Sequence, residues 1–193
     1  MAVQQRVILL LTLSLMSFIP TLSYAAEPNW LRSFITNEHL SLNEIKQQAD
    51  LFDCGLEDED IQFCSDEVNY YTTAVFAQLW VENNSVNELM LTRDFSMTSY
   101  SNLQLSLRRD GYQIETVTMN GHLFDVKDKL SKNTIMDVDK ELIIFLNSQP
   151  ITQEKRLTWS KKFKNKDEVL IGKVIFESNK DGITLHFIHS AKR

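Results

Sequence analysis

No HExxH, GxSxG or GxGxxG pattern occurs in the 193 residues, nor GxxxxGK followed by Ser or Thr, and there are only five glycines, three prolines and two cysteines. The missing motifs leave zinc hydrolysis, esterase-type acyl transfer and P-loop phosphate chemistry without sequence support. So few glycines supply little material for nucleotide-binding loops. Positive charge is also scarce. With 20 Lys+Arg against 26 Asp+Glu the net charge is −6, so the concentrated positive field that nucleic acid or an anionic membrane requires is missing. A protein partner with a basic surface is the electrostatically easier one; no nucleic-acid partner and no cofactor are expected.

Long apolar runs are lacking with one exception. Residues 1–25, MAVQQRVILLLTLSLMSFIPTLSYA, place one charge, Arg6, before an uncharged run from Val7 to Ile19, which Pro20 ends near Ser23 and Ala25. That order predicts a cleavable signal peptide with cleavage after Ala25. The run is shorter than the roughly 20 residues a membrane span needs. LIIFLN at 142–147 is shorter still, so no span is expected in the mature chain. Its 19 basic and 26 acidic residues give net −7. The expected location is the periplasm, with secretion as the alternative; Asn83-Asn84-Ser85 would be a glycosylation sequon in a eukaryotic secretory path.

Residues 26–193 are of a size for one domain. Cys54 and Cys64, in DCGLEDEDIQFC, are expected to pair in an oxidising compartment. Neither a CxxC redox motif nor a nearby histidine favours another role. The loop between them holds the densest charge cluster of the chain, Glu57, Asp58, Glu59 and Asp60. Three readings stay open for it: a disulfide-constrained recognition loop for a cationic partner surface, a calcium loop lacking EF-hand spacing, or a solvated helix N-terminus.

Periodicity predicts an amphipathic helix over SLNEIKQQADLF (41–52), with Ser41 and Glu44 at capping-box spacing and Leu42, Ile45, Ala49 and Phe52 on one face. A β-hairpin follows over 67–95, its first strand apolar on both faces and so read as central and covered. SMTSYSNLQLSLRRDG predicts a helix capped by Ser96 and ended by Gly111. Asn120-Gly121 marks a hairpin turn, and FDVKDKL can enter a short helix. DVDKELIIFLNSQP predicts a helix capped by Asp137 or Asp139, with Val138, Leu142, Phe145 and Leu146 inward and Pro150 beyond it. RLTWSKKF, EVLIGKVIFES and GITLHFIH read as strands, the last two joined at Asn179–Gly182. The sum is an α+β fold, a single domain with a mainly antiparallel sheet and three to four helices, preceded by the signal peptide.

Four histidines remain as candidate ligands or bases: His39, His122, His186 and His189. The last two lie three apart on a strand and so point to opposite faces. No sequence feature pairs one carboxylate with another as a glycosidase requires. Arg108-Arg109-Asp110 and Lys161-Lys162 are isolated basic spots, and Tyr70, Tyr71, Phe76, Trp80 and Trp159 are read most simply as core. The chain is therefore expected to be a non-catalytic exported interaction protein of the inhibitor, immunity or envelope-assembly kind. A small hydrolase or ligand-binding protein with a site outside known motifs is the alternative.

Overall fold

Two-residue turns set the topology. Asn83 and Asn84 have φ values of 52° and 62°, and Asn120 and Gly121 values of 47° and 76°, the left-handed pairs whose twist matches a tight antiparallel hairpin. The computed structural model describes residues 26–55, 61–165 and 168–189, with backbone alone at 164–165 and 168–169. Its strands are β1 (Leu51–Asp53), β2 (Gln62–Tyr70), β3 (Thr73–Glu82), β4 (Ser85–Asp94), β5 (Gln113–Met119), β6 (His122–Asp125), β7 (Lys155–Asn165), β8 (Glu168–Ser178) and β9 (Gly182–His189). They form one antiparallel sheet in the order β1-β2-β3-β4-β9-β8-β7-β5-β6. Five helices accompany it: α1 (Asn29–Ile35), α2 (Leu42–Lys46), α3 (Met97–Arg109), α4 (Val126–Leu130) and α5 (Ile135–Asn147).

The core lies on one side of the sheet. Leu79, Leu89, Val117, Leu157, Trp159, Val174, Phe176, Leu185 and Phe187 are buried there against Leu31, Phe34 and Ile35 of α1, Leu103 and Leu107 of α3, and Val138 and Leu142 of α5. Ring contacts fix each long-range seam. Phe34 stacks on His189 at 4.4 Å, Tyr100 meets Phe176 edge-on at 5.7 Å, and Phe124 lies 5.5 Å from Phe145.

Several local expectations hold. Ser96 caps α3 by accepting from Ser99 N, and Gly111 has φ 86° beyond its end. The Ser41–Glu44 capping box is formed in both directions. Five others are corrected. The helix from Ser41 stops at Lys46, and Leu51 and Phe52 instead pair with Ser65 and Cys64, so Ala49 and Phe52 share no helical face. The hairpin over 67–95 proves to be part of a four-stranded meander, β1–β4, because the chain reverses at Tyr71-Thr72, where Tyr71 takes φ 54°. This reversal puts Tyr70 inside, while Phe76 and Trp80 point out, so β3 is covered on one face only. The α5 cap is Thr134, which accepts from Asp137 N, and Asp137 supplies charge in the first turn. Among the described residues the helices number five, because α1, whose Trp30, Leu31, Phe34 and Ile35 are all buried, has no amphipathic signal of useful length.

Among the described residues no helix is long and apolar enough to cross a membrane. Residues 1–25 lie outside the described residues, as do Glu57, Asp58, Glu59 and Asp60.

Candidate functional site

The uncovered face of the sheet carries a row of side chains in register across all nine strands: Phe52, Cys64, Gln78, Met90, His186, Ile175, Thr158, Thr116 and Asp125. Flanking rows place Trp80 beside Glu88 and Phe76 beside both Glu67 and Thr92. Phe52 is 50% exposed and Phe76 53%, whereas Trp80, Met90 and His186 are half-buried by their neighbours. The β1–β4 side of this face is thus aromatic and acidic together. On the β7–β8 side Arg156 Nη1 donates to Glu177.

His186 Nε2 lies 2.8 Å from Glu88 Oε2, with its ring 6.3 Å from Trp80. A histidine and a carboxylate at this distance could move a proton, but the pair stands on the open face. Neither His186 nor Glu88 lines the clefts at Thr118–Gly121 with Gln153–Arg156 or at Ser178, Asn179, Asp181 and Gly182.

Cys54 and Cys64 sit at disulfide distance, their sulfurs 2.07 Å apart. Cys54 N donates to Gln62 O and Val81 N to Ile61 O. The described chain stops after β1 at Gly55 and resumes at Ile61, and Gln62 at the start of β2 pairs with Trp80. Among the described residues no group of three or more His, Cys, Asp or Glu could hold a metal ion.

A second cluster lies under the opposite face. Asp110 accepts from Tyr70 Oη and Tyr71 Oη at 2.6 Å each and from Arg32 Nη1 at 2.5 Å, and Arg32 also donates to Glu27. Burial alone would lower the Arg32 pKa, but the bonds to Glu27 and Asp110 outweigh it and hold the guanidinium charged. Burial, with the Asp110 carboxylate beside them, raises both tyrosines. Each potential donor in this set is therefore locked in its protonated form, which makes the cluster a structural clamp between α1, the β2–β3 turn and the end of α3. His189 packs between Phe34 and Phe163, and its pKa is lowered to about 4 by burial and then by Lys161.

The histidines of β9 do diverge as the strand alternation predicts: His186 is outside, His189 inside. Of the supposed core aromatics, Tyr70 and Trp159 are core, whereas Phe76 is exposed and Tyr71 and Trp80 are intermediate. Arg108 and Arg109 are not free basic spots, since their guanidinium carbons lie 5.5 Å from the Trp159 ring centre and 5.6 Å from that of Tyr71. Sequence reasoning missed Phe52 and Glu88 as face residues. Strand parity would have placed Glu88 beside Met90, but Phe52 was absorbed into a helix pattern. Comparison of the chain with known protein families, with curated proteins and with solved structures finds no match.

Proposed function

We propose that the chain is an exported, non-catalytic interaction protein that holds a protein partner on the β1–β4 side of its open sheet face. The observation that carries this reading is the exposure of Phe52 and Phe76 on the same face as Trp80 and Met90, the face that the helices leave bare. An aromatic and methionine-containing patch rimmed by charge is the composition of a protein-binding surface. Glu67, Glu88 and the acidic segment Glu57–Asp60 select a partner whose contact surface is basic. The disulfide lowers the ordering cost of that segment. Inhibition, immunity and envelope assembly are the classes of role proposed for it.

The test is affinity capture from a native envelope extract, with wild type, the double variant Phe52→Ser/Phe76→Ser, and the quadruple variant Glu57→Gln/Asp58→Asn/Glu59→Gln/Asp60→Asn. A partner of basic surface retained by wild type and lost from the first variant is the expected result. Weaker retention by the second assigns the acidic segment to the contact. Equal recovery on all three overturns the reading.

A further inference from the structure

Helix α5 is apolar on both of its sides. Val138 and Leu142 are buried in the core, with Phe145 and Leu146 packed beside them. On the helical period Met136, Lys140, Ile143 and Asn147 form a row opposite Val138, and Ile135 and Ile144 flank it. Ile135, Met136, Ile143 and Ile144 are between 58% and 71% exposed. A surface helix of a globular domain keeps its outer side polar, and one that is apolar all round is covered on both sides. The row points away from the sheet, so it is separate from the open face.

Size and charge point to the occupant. The four side chains present on the order of 500 Å2 of apolar surface, toward the upper end of what a monomer carries. Two copies meeting on this patch bury about 1,000 Å2 from these side chains alone, the area at which a specific interface begins. The row carries one charge, Lys140, and residues 142–149 carry none. The last turn of α5 has no basic residue to answer the negative end of its dipole. In an antiparallel crossing centred on Ile143 and Ile144, Lys140 of each copy lies beside the C-terminal turn of the other and supplies that charge. Asp137 and Asp139, toward the opposite end, then meet no carboxylate of the second copy. A parallel crossing sets these carboxylates against their own counterparts, and they also disfavour an anionic lipid surface.

We propose that α5 is the contact between two copies of this chain, packed antiparallel about a two-fold axis at Ile143 and Ile144. Such a contact is isologous, so the patch is its own complement. The two helix layers are then enclosed between two sheets, with both open faces outward. The inference does not rest on the protein-binding reading, and either can fail alone.

The test is sedimentation equilibrium of the purified protein, which should show a reversible dimer in the micromolar range. Ile143→Lys/Ile144→Lys places like charges across the two-fold axis, so dimer affinity should fall by about a hundredfold. Both side chains are exposed in the single chain, so the far-UV spectrum of this variant should be unchanged. On oxidation Ile144→Cys should cross-link to its own counterpart. Met136→Cys, about 20 Å from its counterpart in the antiparallel crossing, should not. A wild type that stays monomeric, leaving the face to another protein or to lipid, overturns the proposal. So does a dimer that survives Ile143→Lys/Ile144→Lys, or one that cross-links through Met136→Cys as readily as through Ile144→Cys.

Discussion

Arg32 in the first helix and Asp110 at the end of the third, 78 positions apart, are joined by a 2.5 Å hydrogen bond, and the Asp110 side chain is only 5% exposed. Around that carboxylate three donors converge from separate elements. Asp110→Ala leaves a guanidinium and two phenols without their acceptor, so unfolding in urea should show a loss of about 3–5 kcal/mol. In Arg32→Met/Asp110→Ala the two losses should be far from additive. Additive losses would show that the residues do not act as one clamp.

His189 makes stability depend on pH. Its pKa is lowered to about 4 in the folded chain, against about 6.5 when unfolded. Between these values the unfolded state binds more protons, so stability rises with pH across the window and is fully present above its top. The difference corresponds to about 3 kcal/mol lost on going from pH 7 to pH 4. His189→Phe, which keeps the stack on Phe34, should flatten this slope in melts taken across the window. A slope unchanged in the variant would place its origin elsewhere.

Breaking the bridge between Cys54 and Cys64, ten positions apart, should cost about 2–3 kcal/mol by the loop-closure argument. The loss should be local first. β1 is three residues long and pairs only with β2, so hydrogen exchange at Phe52 and Asp53 should accelerate in Cys54→Ser/Cys64→Ser before exchange in β3 changes.

Gly172 is required by space. A Cβ there would lie 2.6 Å from Phe163 Cε2 and 3.3 Å from Tyr112 Oη. Gly172→Ala should therefore destabilise by about 1–3 kcal/mol through overpacking, and adding Phe163→Leu should restore part of it. A thermal melt of the three proteins decides.

Legibility in the sequence follows the range of the interactions. The α3 cap at Ser96, its end at Gly111 and the Asn120-Gly121 turn depend on residues a few positions apart, and each can be read from the chain. The reversal at Tyr71-Thr72 has no Gly, Pro or Asn to announce it. Its left-handed tyrosine is held from outside, by Asp110 on its hydroxyl and by Arg32 over its ring. β1 is likewise invisible locally, because Leu51 and Phe52 continue a helical pattern that pairing with Ser65 and Cys64 overrides. The open face fails for the same reason, since it brings His186 of β9 beside Met90 of β4.

The strand order has a consequence for how the chain comes together. β9 comes last in chain order among the described strands, yet it lies in the middle of the sheet, holding β4 on one side and β8 on the other. Until residues 182–189 are free to pair, the meander of β1–β4 and the hairpin of β7–β8 are two separate half-sheets. Joining them requires closing a loop of about ninety residues between β4 and β9, a slow step. A sheet ordered this way is completed in a single closing event, the pairing of β9 on both of its sides at once.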